Sequence, residues 1–386
     1  MTNPLREYED WARACMHVRC GLCRENCAAY RQFEMDSYSP KGRITMLHHW
    51  LEGTLQPSQE MSERVHACTG CGLCDLACGY PQSEAIQSMK NQLFEAGYGP
   101  PSSYAKIIEN AHQTGNPYGE SNQSATEFLS AQPESQSTGM ERLYFIGCTE
   151  LYREREQVEN VLRILRKANV SFGLLSENFC CGSPIYRVGD VGHAKHHAGQ
   201  LVEQLVERGT KEIIISCSGC FSMFSNIYED LIVELPSLQF IHITEVLDEL
   251  VRTGELNLGK IEKVVTYHDP CHLGRHSGIY EEPRNVIEAI PGVTLVEMEW
   301  SGKFSHCCGA GGGLKAGRAD DAVALGAMRV REAEETGAQI LVTSCPFCLR
   351  NLRDGAESIK SDIEISSVVS LLMSSMTNYQ EGRMLN

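Results

Sequence analysis

The sequence predicts a helical N-terminal domain followed, after a polar stretch, by two homologous α/β domains. Three observations predict it. The 386-residue chain holds eighteen cysteines, eight within residues 1–97 and ten within residues 141–386. The ten downstream cysteines form one five-cysteine pattern written twice. Around them, short apolar runs alternate with segments of helical periodicity.

Residues 1–97 read as helical between their cysteines. Residues 98–140 include TGNPYGESNQS and SAQPESQSTG, rich in Gly, Pro, Ser and Gln. That composition predicts a linker or wrapping loop with little structure of its own. The rest divides into residues 141–255 and 256–386. In the first copy Cys148 precedes Cys180-Cys181-Gly182 and then Cys217-x2-Cys220. In the second, Cys271 precedes Cys307-Cys308-Gly309 and then Cys345-x2-Cys348. Equivalent cysteines are 123 to 128 residues apart, too regular a match for chance.

The local context of these cysteines is that of strand ends. The runs 143–146 and 211–216 end at or just before Cys148 and Cys217, and the runs 264–267 and 340–344 end just before Cys271 and Cys345. They read as buried parallel strands, with helices between them over 156–168, 191–208 and 320–336. In open α/β sheets, ligands gather beyond the carboxyl ends of the strands, so the ten cysteines converge at one edge of two related lobes.

Composition narrows the function. The net charge of −16, without a basic stripe, argues against nucleic acid and for solubility or docking to a basic partner. The N-terminus has no apolar core of a signal peptide, and no apolar run approaches the roughly 18–20 residues of a membrane span. The expectation is a soluble cytoplasmic protein, or one held peripherally on the cytoplasmic face of a membrane through a partner. A disulfide scaffold does not suit such a compartment.

Cys68-x2-Cys71-x2-Cys74-x3-Cys78 has the spacing of a cubane [4Fe–4S] motif, and Gly70 and Gly72 allow its tight turns. An upstream motif, Cys20-x2-Cys23-x3-Cys27, lacks the cysteine expected three residues before Cys20; His17 stands there and Cys15 lies two residues further out. Cys15 through a bulge, His17 as a ligand, or an incomplete site are the open readings. By crossed ligation, Cys15 (or His17), Cys20, Cys23 and Cys78 hold one cluster, and Cys27, Cys68, Cys71 and Cys74 the other. In the repeats, adjacent cysteines such as Cys180 and Cys181 do not comfortably face one small ion, and five thiols exceed the four that zinc takes. They fit the flanks of a larger cluster.

The paired Cys-Cys-Gly signatures, with the stretches TYHDPCHLGRHSGIYEEPR, HCCGAGGGLKAG and SCPFCLRNLRDG, resemble the heterodisulfide reductase family, most closely the branch formed by its D-type subunits. The resemblance covers nearly the whole chain. It implies an α-helical two-cluster ferredoxin domain followed by two homologous α/β CCG domains. It implies two cubane [4Fe–4S] clusters and two noncubane [4Fe–4S] clusters, the latter held by Cys148, Cys180, Cys181, Cys217 and Cys220, and by Cys271, Cys307, Cys308, Cys345 and Cys348. The implied substrate is the mixed disulfide of coenzyme M and coenzyme B, entering between the two clusters, each sulfur captured at an iron as electrons arrive.

The implied redox partner is a membrane b-type cytochrome. In the alternative reading the chain is the iron–sulfur electron-transfer subunit of an FAD-linked glycolate or lactate oxidase-type complex, with a flavoprotein partner. Because both CCG copies are intact, the disulfide-reducing branch is favoured. His268, His272 and His276 crowd the second copy; the first two are candidate proton donors to a thiolate product. Arg187, Arg275 and Lys315 are candidates for a sulfonate or phosphate of the substrate. The glycine run 309–313 allows close backbone approach to cluster or substrate.

Overall fold

The computed structural model describes residues 3–18, 20–136, 139–232 and 237–384. The N-terminal domain is helical, with helices at Glu9–His17, Ala28–Phe33, Pro40–Leu51, Gln59–His66, Leu73–Cys78 and Gln82–Glu95. Their starts follow from the sequence. Ser39 caps the third helix by accepting from the Gly42 amide at 2.9 Å, and Pro40 occupies the first turn, where no amide is needed. Ser58 caps the next through the Met61 amide at 3.2 Å. Ile86, Met89 and Leu93 recur on one face of the last helix and close a core with Leu5, Ile44, Leu47, Met61 and Val65.

Segment 98–140 differs from the expected structureless linker. It contains helices at Ala105–Thr114 and Asn122–Ser130. Ile107 and Ala111 form a buried stripe on the first, Ala125 and Leu129 on the second, each pair at i, i+4. Four apolar residues at helical spacing suffice to dock these helices, although the composition around them is that of a loop.

Each downstream lobe is built on a four-stranded parallel sheet. The first comprises β1 (Arg142–Phe145), β2 (Gly173–Leu174), β3 (Glu212–Ile215) and β4 (Gln239–His242). The second comprises β5 (Lys263–His268), β6 (Val293–Val296), β7 (Ile340–Thr343) and β8 (Glu364–Ser367). The strand orders, β2-β1-β3-β4 and β6-β5-β7-β8, are the same topology twice. Strand order reverses between β1 and β3, and between β5 and β7, where open α/β sheets bind ligands. The predicted helices fall at Arg155–Lys167, Val191–Glu207 and Ala319–Glu334.

The lobes share one hydrophobic core. Val161 and Leu165 of the first belong to the same buried cluster as Val265, Val286 and Leu372 of the second. Gln157 Nε2 donates to Ser370 Oγ at 2.7 Å across the same seam. Among the described residues, no helix is long and apolar enough to cross a membrane.

Candidate functional site

The cysteines lie where the topology predicts a ligand. Cys148 opens the helix that follows β1, and Cys217 caps the helix that follows β3. Cys345 caps the helix after β7 in the same way. With Cys217 and Cys345 as caps, Cys220 and Cys348 fall in the first helical turn, so each Cys-x2-Cys places two sulfurs at a helix N-terminus. The dipole and free amides there favour thiolate. Cys180-Cys181 and Cys307-Cys308 arrive on the loops after β2 and β6.

The repeat extends to the groups behind the sulfurs. Tyr144 and Ser216 meet through their hydroxyls at 2.8 Å in the first lobe, Tyr267 and Ser344 at 3.0 Å in the second. Ser218 Oγ donates to the Ser344 carbonyl oxygen at 3.0 Å, bringing the two cradles edge to edge.

Nine of the ten repeat cysteines, all but Cys180, line a single cavity of about 360 Å³. Among the described residues every cysteine is a free thiol. Cys308 and Cys348 approach to 3.3 Å, well beyond a disulfide bond of about 2.05 Å. Five soft sulfur donors per lobe, most of them buried and facing chiefly one another, fit an iron–sulfur cluster and exceed what a tetrahedral zinc ion uses.

Other predicted residues separate into those at the cavity and those behind it. His272 lines the cavity; its Nε2 has no hydrogen-bond partner among the described residues, and burial holds its pKa well below the usual value. Arg187 also lines it, half-buried, its Nε unpartnered among the described residues. Lys315 lines it and pairs with Asp354. His268 stands behind the second cradle: its Nδ1 accepts from Arg329 Nε at 3.1 Å, and it lies beside Cys308 and Cys348. His276 donates from Nε2 to the Gly70 carbonyl oxygen at 2.9 Å, a link between domains.

Arg275 is not a cavity residue. Its guanidinium donates to the carbonyl oxygens of Cys71 at 2.7 Å, Lys303 at 3.1 Å and Ser305 at 2.6 Å. The expected anion-binding role gives way to a backbone clamp, because three carbonyls converge where the sequence shows only a cation near a cysteine. Gly311, Gly312 and Gly313 line the cavity, and the same run packs closely against the N-terminal domain. A Cβ on Gly312 would meet the Cys68 carbonyl oxygen at 2.2 Å, and one on Gly311 that of Thr69 at 2.5 Å.

The N-terminal cysteines form two groups. Cys15 shares its surroundings with Cys20, Cys23 and Cys78, and burial pushes its thiol up. His17 is exposed. The two lie on one helix, two residues and therefore about 200° apart, so they face different ways. Cys27 is surrounded by Cys68 and Cys71, and burial raises it to about 11. Cys71 packs against the buried cluster that contains Cys307 of the second lobe, and that neighbour holds its pKa below the usual thiol value.

Several cavity residues escaped the sequence reading. Tyr118 comes from the segment taken as a linker; its hydroxyl meets Thr149 Oγ1 at 2.8 Å. Arg153, Phe347 and Arg350 also line the cavity. Each lies within five residues of a cradle cysteine, and that proximity was the available signal. For Tyr118 the sequence offers none. Glu150, which receives the Ser216 hydroxyl and the Gly147 amide, is pushed up to about 7 by burial.

Comparison with known proteins agrees with this architecture. Residues 142–225 and 265–353 each match the family model described as Cysteine-rich domain, and residues 11–80 match that described as 4Fe-4S dicluster domain. The chain therefore binds 4Fe–4S clusters. The D-type subunit of the Dihydromethanophenazine:CoB--CoM heterodisulfide reductase of Methanosarcina barkeri is 36% identical, with 92% of each chain covered. Its counterpart from Methanosarcina acetivorans is 35% identical over the same shares. A crystal structure of a hypothetical protein from Helicobacter pylori matches 96% of this chain and 76% of its own at TM-score 0.56, with 10% identity, a likeness of fold alone. Sequence identity along nearly the full length and the same order of domains place the chain in the family of heterodisulfide reductase D-type subunits.

Proposed function

We propose that the chain is the catalytic iron–sulfur subunit of a heterodisulfide reductase, cleaving the mixed disulfide of coenzyme M and coenzyme B. The observation that carries this reading is the single cavity faced by nine cysteines from both lobes. A disulfide entering it has one sulfur toward each cradle. Cys148, Cys180, Cys181, Cys217 and Cys220 form the first cradle; Cys271, Cys307, Cys308, Cys345 and Cys348 form the second. Cys15, Cys20, Cys23 and Cys78 hold one N-terminal cluster, and Cys27, Cys68, Cys71 and Cys74 the other. Bound there, two cubane and two noncubane [4Fe–4S] clusters supply one-electron transfer and iron with affinity for sulfur.

The chain's own residues do the rest. Cleavage of the S–S bond takes two electrons and two protons and yields two thiols. Burial keeps His272 neutral, so its imidazole N–H is a hydrogen-bond donor to a developing thiolate rather than a standing acid. The unpartnered Arg187 fits a sulfonate or phosphate of the substrate, in a site dry enough for the charge pair to count. The Cys71–Cys307 contact supports entry of electrons into the second cradle first.

The proposed donor is a second polypeptide that docks on the N-terminal domain, a membrane b-type cytochrome as the family resemblance implies. Cys20 is exposed, and Val18 and Leu22 beside it are 54% and 68% exposed, an apolar rim where a partner would bring its own redox group close.

An anaerobic assay tests the proposal. The cluster-loaded full chain is given reduced viologen dye and the heterodisulfide. Two dye molecules oxidised per disulfide, with Cys308→Ala inactive but retaining its N-terminal cluster signals, is the expected result. A fully loaded wild-type chain that leaves the dye reduced would refute it.

A further inference from the structure

We propose that His112, Asp190 and His193 form a binding site for a divalent transition-metal ion of the zinc class, apart from the cysteine cradles. The site joins two parts of the chain. His112 lies on the helix Ala105–Thr114 of the segment read from sequence as a linker. Asp190 caps the helix Val191–Glu207 of the first lobe, and His193 is in its first turn.

The geometry is that of a ligand set. Asp190 Oδ1 is occupied by the His193 amide at 3.1 Å, which is all the helix cap requires. Oδ2 is left over, and it faces His112 Nε2 at 3.3 Å and His193 Nδ1 at 2.9 Å. The three atoms lie within 4.8 Å of one another. Ligands on a tetrahedral ion with bonds of about 2.0–2.1 Å sit about 3.3 Å apart, so the ligand atoms are already gathered, and the two stacked rings must part and turn about the fixed Asp190 to close the set around a cation.

The two imidazole rings stack with centroids 3.5 Å apart and planes 27° from parallel. Two imidazoles and a carboxylate are the donors zinc takes in sites that keep a fourth position for water. The side chain of Asp190 is 4% exposed and so preplaced, while those of His112 and His193 are 36% and 46% exposed, which leaves the ion a route from solvent. Bound there, the ion pins the helix of His112, and with it the neighbouring Tyr118 of the cavity wall, to the first lobe. The inference does not depend on the disulfide-reducing reading.

The test uses the cluster-loaded full chain, freed of loosely held metal by a chelator. It is dialysed anaerobically against micromolar Zn²⁺ and analysed for zinc and iron. Wild type is expected to retain one zinc per chain beyond its iron, and the double variant His112→Gln, His193→Gln to retain none while keeping its iron and cluster spectra. No zinc in wild type, or equal zinc in both, would overturn the site. Limited proteolysis within residues 98–140 gives a second readout on wild type alone, so the proposal stays testable if the variant loses its clusters. Zn²⁺ should slow cleavage several-fold, and an unchanged rate counts against the site.

Discussion

Lys90 donates from Nζ to the carbonyl oxygen of Gly312 at 3.3 Å, across 222 residues of sequence. The same ammonium reaches the carbonyl oxygens of Cys68 at 2.9 Å and Arg187 at 3.3 Å. One buried lysine thus ties the N-terminal cluster loop to a loop from each α/β lobe. Burial holds its pKa down at about 8, the cost of placing an ammonium there.

Replacing that ammonium with a methionine side chain keeps the volume and leaves three carbonyl oxygens without their donor. A buried acceptor left unsatisfied costs about 1–3 kcal/mol. Lys90→Met should therefore lower the unfolding free energy of the cluster-loaded chain by about 3 kcal/mol or more, read from urea titration. A midpoint equal to wild type would show that the three contacts hold nothing.

Gly312→Ala attacks the same junction from the other side. The added Cβ would stand 2.2 Å from the Cys68 carbonyl oxygen, at a φ of +64° that L side chains rarely adopt. The glycine loop must move away from the N-terminal domain. Disulfide reduction should slow by at least about tenfold, since a displacement on the order of 1 Å already disturbs a preorganised site that strongly. Stopped-flow oxidation of the pre-reduced N-terminal clusters by the disulfide measures the step.

The damaged N-terminal motif makes a simple contrast. Cys15 sits among Cys20, Cys23 and Cys78, whereas His17 is exposed. Cys15→Ser should cost one cubane cluster by iron analysis and EPR, and His17→Ala none. The opposite outcome would assign the ligand to His17.

Acid should weaken the domain junction through His66. Its ring is buried between the carbonyl oxygens of Ser62 at 2.9 Å and Val188 at 3.2 Å. Burial, reinforced by the charge of Lys90, lowers its pKa from 6.5 to about 3. The unfolded chain takes up this proton below pH 6.5 and the folded chain only near pH 3, so stability is lost as pH falls through that window. From pH 6.5 to about 5 the loss is about 2 kcal/mol. Urea midpoints of His66→Gln should be flatter than wild type by that amount.

Much of this architecture is legible in the sequence because the cysteines mark strand ends. Cys148, Cys217, Cys271 and Cys345 each follow a strand by two or three residues, so the apolar runs before them read correctly as β1, β3, β5 and β7. The five-cysteine repeat likewise anticipates two lobes of one topology. Segment 98–140 was hidden because its few docking residues, Tyr104, Ile107, Ala111, Ala125 and Leu129, are diluted among polar ones. Arg275 and Lys90 were misread or passed over for a different reason. Their partners are backbone carbonyls distant in sequence, and no side-chain pattern announces a carbonyl. His112 and His193 are 81 residues apart and become neighbours only when the supposed linker folds back on the first lobe.

The central claim is that both cradles serve one disulfide in the shared cavity. The most direct measurement is EPR of the oxidised, cluster-loaded chain treated separately with coenzyme M and with coenzyme B. A new paramagnetic signal that appears with thiol, and is lost in Cys308→Ala while the N-terminal clusters stay reducible, is the predicted result. Spectra unchanged by either thiol would contradict the account.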